Sequence, residues 1–213
     1  NGPSPIHPTT EVTCLSMIET MNTDLYEEYR QDKSALWEAL EARHELPDHE
    51  ELMHLSGLLA DEIERFRKAW EALDVETRRH LIQKLRAIAE EDFAMDFSAV
   101  FRIGMRDEDA AVRAAAISGL DEVDDLRLIS ELTRILRSDP SAKARTAAAH
   151  GLARFILLGE LEKIRDEPFQ EALSALIEAY RDDEEDLQVQ RNAMESMAYT
   201  GSRDVPEIIA ESY

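Results

Sequence analysis

Arg113-Ala-Ala-Ala116-Ile117-Ser-Gly-Leu120 decides the fold, because its pattern is written three more times along the chain. The other copies are Arg78-x-x-Leu81-Ile82-x-x-Leu85, Arg145-x-x-Ala148-Ala149-x-x-Leu152 and Gln190-x-x-Ala193-Met194-x-x-Met197. In each copy apolar residues follow the first position by three, four and seven, which is one stripe of an α-helix. A lone helix cannot bury such a stripe, and recurrence every few tens of residues marks stacked helical units that cover one another. The copies begin at 78, 113, 145 and 190, giving intervals of 35, 32 and 45 residues, so the last interval carries an insertion. It is the stretch Phe155 to Pro168, expected either to lengthen the second helix of its unit or to form a loop ending near Pro168.

Between the signatures lie further apolar series: Phe97, Val100, Phe101 and Met105; Leu128, Leu132, Ile135 and Leu136; Leu173, Leu176, Ile177 and Tyr180. Each is followed by a polar turn rich in capping carboxylates, so each unit reads as helix A, turn, helix B, with the signature on helix B. No segment reads as a strand. Upstream, residues 1–20 hold three prolines and no helical periodicity and are expected to be a poorly ordered leader, with Met17 and Met21 as candidate translational starts. Residues 21–73 read as a helical N-terminal cap. Its apolar series runs from Leu25 to Leu46, then resumes after Asp48-x-x-Glu51, a capping-box spacing, and is interrupted at Gly57. Residues 74–213 read as about four repeats, the last incomplete: Val205-Pro-Glu-Ile-Ile-Ala-Glu-Ser-Tyr213 resembles a helix A without a helix B. The chain is therefore expected to be a fragment or to end on an unusually packed helix.

The 213 residues carry a net charge of -22 with 44% hydrophobic side chains, enough for a substantial core beneath an acidic surface. Polyanionic partners would be repelled, so nucleic acid and anionic membrane surfaces are not expected. Cys14 is the single cysteine, which excludes an intrachain disulfide and suits a reducing cytoplasm. No apolar run reaches the roughly 20 residues of a membrane span, and the start of the sequence lacks the pattern of a secretion signal. A cytoplasmic protein is expected.

At Asp107-Glu-Asp-Ala-Ala-Val112-Arg113-Ala-Ala-Ala116 and Asp139-Pro140-Ser-Ala-Lys-Ala-Arg145-Thr-Ala-Ala148 the chain resembles the HEAT repeats. The resemblance implies an all-α, right-handed α-α superhelix, a HEAT-repeat solenoid. It also implies that Asp107, Arg113, Asp139 and Arg145 form a structural ladder of hydrogen bonds between adjacent repeats. Glu184 and Gln190 stand at the same spacing in the last unit, and the first has Arg78 but Ala72 in place of the acid. More narrowly, Phe97-Ser-Ala-Val-Phe101-Arg and Phe155-Ile-Leu-Leu-Gly-Glu-Leu161 look like a group of bacterial HEAT-repeat proteins of unassigned function.

No catalytic or cofactor constellation is written over this scaffold: no phosphate-binding glycine loop, zinc-protease helix or nucleophile elbow occurs. His44, His49 and His54 are evenly spaced, but five residues turn a helix by about 500°, so successive rings diverge and no metal site is expected. Acidic clusters such as Glu90-Glu91-Asp92 read as caps and solubilising charge. With Arg113, Ala116, Ile117 and Leu120 turned to the core, Ser118 and Glu122 fall on the opposite face of their helix B. The equivalent positions are His80 and Gln83, His150 and Arg154, and Asn192, Glu195 and Tyr199. In a solenoid these nine would line the concave surface. The function expected is a non-catalytic scaffold holding a protein or peptide on that stripe, with a basic one favoured by the acidic surface. The HEAT resemblance also admits a bilin lyase, since that enzyme class uses similar repeats; a DNA-repair glycosylase would need the opposite surface charge.

Overall fold

The computed structural model describes residues 33–42 and 46–198, and within them every regular element is a helix. Ten follow in order: α1 (Ser34–Ala42), α2 (His49–Met53), α3 (Ala60–Ala72), α4 (Val75–Glu91), α5 (Ser98–Gly104), α6 (Ala110–Ser118), α7 (Arg127–Ser138), α8 (Ala142–Glu160), α9 (Asp166–Arg181) and α10 (Leu187–Met197). The leader, Cys14, the start of the cap's first helix, His44, Tyr199 and the segment from Val205 lie outside the described residues.

The signature helices form one layer. α4 packs on α6, α6 on α8 and α8 on α10, while α5, α7 and α9 pack against the helix B of their own units and α7 against α9. This is the two-layer order of an α-α solenoid. The N-terminal segment continues both layers, with α1 on α3, α3 on α5, and α2 on α4. The cap boundary expected at 73/74 thus falls in the two-residue turn between α3, which stands in the layer of helices A, and α4, in the layer of helices B.

Local sequence sets the element boundaries. Asp48 and Glu51 make a reciprocal capping box at α2, with both bonds at 2.9–3.0 Å. Gly57 separates α2 from α3 at φ 61°, a left-handed conformation that disfavours a Cβ. Asp74, Asp109 and Asp186 each cap the helix that follows. The insertion resolves into helix: α8 runs for 19 residues against nine in α6. It stops at a Schellman turn, with Glu162 left-handed at φ 55° and the Lys163 N–H donating to the Leu158 carbonyl. Pro168 does not end a loop; it sits in the first turn of α9, where its missing N–H costs no helical bond.

A single core runs the length of the stack, from Leu36 and Trp37 through Phe66, Leu81, Phe101, Ile117 and Leu132 to Phe155, Leu176 and Met197. The signature positions Leu81, Ile82, Leu85, Ala116, Ile117, Leu120, Ala148, Ala149, Leu152, Ala193 and Met197 are all buried. Alanine at 116, 148 and 149 lets helix B approach its neighbours closely, and glycine does the same at 159, where a Cβ would lie 2.1 Å from the Phe169 ring.

Candidate functional site

Each boundary between consecutive units is crossed by the arginine that opens the signature. Arg113 makes a fork to Asp139 of the next unit, Nε to Oδ2 at 2.8 Å and Nη2 to Oδ1 at 2.7 Å, while its Nη1 donates to the carbonyls of Asp107 and Glu108 in its own turn. Arg145 repeats this with Glu185 (2.8 and 2.5 Å) and the Asp139 carbonyl. Arg78 reaches Asp107 at 3.1 Å and Glu108 at 2.7 Å. Asp107 also accepts the buried Trp70 indole N–H at 2.8 Å, a contribution from α3 that the signature did not reveal.

The spacing rule fails in the last unit. Glu184 and Gln190 stand at the six-residue spacing without the Asp and Arg of the other units, and here Asp182 and Glu185 divide the work of the acid. The Asp182 carboxylate accepts the N–H two residues on, as Asp107 and Asp139 do, and its carbonyl accepts Gln190 Nε2. Glu185 takes Arg145. The cause is a turn two residues longer between the acid and the signature, eight positions instead of six, which shifts the side chain within reach.

Four of the nine stripe residues, Gln83, Ser118, His150 and Asn192, line one groove of about 370 Å³ across α4, α6, α8 and α10. Its floor is small: Ala111, Ala114, Ala115 and Ala147. The charged lining consists of Arg79, Arg86 and Lys143, which the stripe did not include. On α4 the groove face is therefore Arg79-Gln83-Arg86 rather than a face through His80, which is exposed outside it. The lining lies towards the N-terminal halves of α6 and α8, while further along α8 Arg154 bridges to Glu122 at 3.0 Å and Asp124 at 2.5 Å. Glu122, His150 and Arg154 line a second, smaller cavity of about 200 Å³ there. Glu195 is exposed and paired with Arg191 at 2.8 Å. The two carboxylates expected to draw a basic partner to the stripe are thus already paired.

Charge in the groove is tuned by neighbours. Arg79 forks onto Asp109 (3.0 and 2.5 Å), and this bond holds the Asp109 carboxyl down at about 2. In the lining of the smaller cavity, burial pushes the Asp121 carboxyl up to about 6, against the pull of His150, whose Nε2 is 3.8 Å away, and of Arg86. Asp121 Oδ1 is buried with no hydrogen-bond partner among the described residues.

No cluster of three metal-ligating side chains occurs among the described residues; His49 begins α2 and His54 caps its C-terminus. No helix among the described residues is long and apolar enough to cross a membrane. The cations of the groove were legible in principle, since Arg79, Gln83 and Arg86 share one helical face, but which face opens into a cavity depends on the size of residues from other units.

No curated protein and no solved structure matches the chain. The family profile described as HEAT repeats matches residues 63–153 and again 98–197, together more than half of the sequence. The matched stretch coincides with the stacked pairs from α3 to α10 and with the arginine ladder between them. This chain belongs to the HEAT-repeat family.

Proposed function

We propose that this protein is a non-catalytic scaffold that holds an extended segment of a protein partner in the groove formed by α4, α6, α8 and α10. HEAT repeats suggest such a role in general, because a repeat stack offers a continuous surface larger than any single unit. The observation that carries the reading here is the groove's composition. A floor of four alanines allows close approach of a peptide backbone, and the walls carry amide, hydroxyl and cationic donors, Gln83, Asn192, Ser118, Thr146, Arg86 and Lys143. Such a lining meets backbone carbonyls and side-chain carboxylates better than it meets a basic peptide.

A photo-crosslinking residue at Ser118 or Lys143 tests this against one at Ser130, which is exposed on α7 in the other layer. Adducts with the same partner are expected from the two groove positions and lost when Ala147→Arg fills the floor. Equal adducts from Ser130, or adducts that persist in the filled variant, would sink the reading.

A further inference from the structure

The chain carries 46 acidic side chains against 24 lysines and arginines, yet no acidic residue lines the 370 Å³ groove, whereas Arg79, Arg86 and Lys143 do. The carboxylates of the same helices that lie outside the lining are engaged by cations of their own. Asp109 is held by the Arg79 fork, Glu122 and Asp124 by Arg154, and Glu195 by Arg191. Arg79 is thereby satisfied. Arg86 is held loosely, its Nη2 lying 3.5 Å from Glu90 one turn along the same helix. Lys143 is exposed and makes no ion pair among the described residues. It also stands against helix electrostatics: it occupies the first turn of α8, where the positive end of the helix dipole disfavours a cation and no acidic residue offsets it. Neither packing nor helix stability calls for a lysine there, but an anion lying over the alanine floor does. In the same lining Gln83, Ser118 and Thr146 make no side-chain hydrogen bond among the described residues.

We propose that the partner segment held in the groove is acidic, with carboxylates against Lys143 and Arg86 and its main chain bonded by Gln83, Ser118 and Thr146. This rests on the scaffold reading and adds the chemistry of the partner. Charge complementarity selects the occupant. A carboxylate approaching a chain of net charge -22 is repelled by most of the surface, so its binding is confined to the cavity where a base stands unopposed. The same net charge disfavours nucleic acid, whose phosphates continue beyond the groove on both sides. Length follows from the stack. The four helices pack in succession and packed helices stand about 8–10 Å apart, so the groove spans about 24–30 Å. An extended chain advances about 3.3 Å per residue, so about eight residues cross it.

The test uses the full chain and a labelled peptide of about ten residues in which Asp alternates with Thr, whose branched side chain favours an extended backbone. A second peptide carries Asn at every Asp, which keeps the shape and removes the charge. Fluorescence anisotropy at about 0.1 M salt, where the screening length is still about 10 Å, reads both affinities. The Asp peptide is expected to bind about 10-fold or more tighter than the Asn peptide, and to lose that advantage in Arg86→Gln/Lys143→Gln. Lys143→Gln alone, at an exposed and unpaired side chain, should weaken the Asp peptide about threefold or more with thermal unfolding unchanged, so a folding defect cannot mimic the effect. Ala147→Met, which fills the floor without adding charge, should weaken both peptides. Equal binding of the two peptides, with both lost in Ala147→Met, overturns the charge assignment and leaves the scaffold reading standing. Asp-peptide binding that persists in Ala147→Met or in the glutamine variants overturns the proposal, as does no binding up to about 1 mM. So does tighter binding of a ten-nucleotide oligothymidylate that the same variants abolish, since nucleic acid would then be the occupant.

Discussion

Replacing Arg113 with methionine removes one rung of the ladder while keeping most of the apolar stem. The guanidinium makes four hydrogen bonds, two to Asp139 and two to carbonyls of its own turn. The side chains of Arg113 and Asp139 are only 12% and 8% exposed. Deleting one member of such a pair leaves the other charge in a poorly solvated site, at a cost of about 3–5 kcal/mol. Burial alone would push the Asp139 carboxyl up, but the Arg113 fork and the Ser141 N–H hold it below the ordinary carboxylate range. A depressed folded value means that this stability is present above about pH 4 and is lost as pH falls through the folded value. The variant's deficit should therefore be about 3 kcal/mol or more at pH 7 by urea denaturation followed by circular dichroism, and should shrink below about pH 4. Because α7 and α8 would be less firmly coupled to α6, the transition should also broaden. Arg65→Met is the control. Its partner Glu41 is 2.6 Å away, but both side chains are about half exposed, so the loss should stay under about 1 kcal/mol. Equal, small losses in the two variants, or a deficit that does not change with pH, would refute the claim that the ladder holds the units in register.

Gly159→Ala places a methyl group 2.1 Å from the Phe169 ring and should destabilise by about 1–3 kcal/mol, with Phe169→Leu in the same chain restoring part of it in thermal melts. Glu162→Gly relieves a left-handed residue at φ 55° in the Schellman turn and should stabilise by about 1 kcal/mol in the same assay. Asp121 is raised to about 6 in the folded chain, so the native state keeps a proton that the unfolded chain releases, and stability falls as pH rises from about 4 through 6. Asp121→Asn should accordingly raise stability at pH 7 by on the order of 1–2 kcal/mol and change little at pH 4; a benefit independent of pH would count against a buried carboxylate as the cause.

The repeat, its two-helix unit and the buried side of helix B were legible because they depend on residues three, four and seven apart. Main-chain geometry alone brings such residues onto one stripe. The capping box at Asp48 and Glu51 was legible for the same local reason. The ladder acids were legible only where the turn kept its length; in the last unit, whose turn is two residues longer, Arg145 pairs with Glu185, a position the six-residue spacing did not single out. The stripe residues are divided between two cavities. Gln83, Ser118, His150 and Asn192 meet in the groove, while Glu122 and Arg154 join a second cavity and His80 and Glu195 line neither.

Sequence by itself determined that this chain stacks helical pairs and which side of each helix is hidden, since burial of an apolar stripe is dictated by periodicity. Only the tertiary structure decided where the stack opens and where it is tied shut. A cavity forms where small side chains from different units face one another, at Ala111, Ala114, Ala115 and Ala147, and units are tied where a long one such as Arg154 reaches across to Glu122 and Asp124. The partners in those meetings are 30 or more residues apart, and their alignment follows from turn lengths and packing distances rather than from any local pattern.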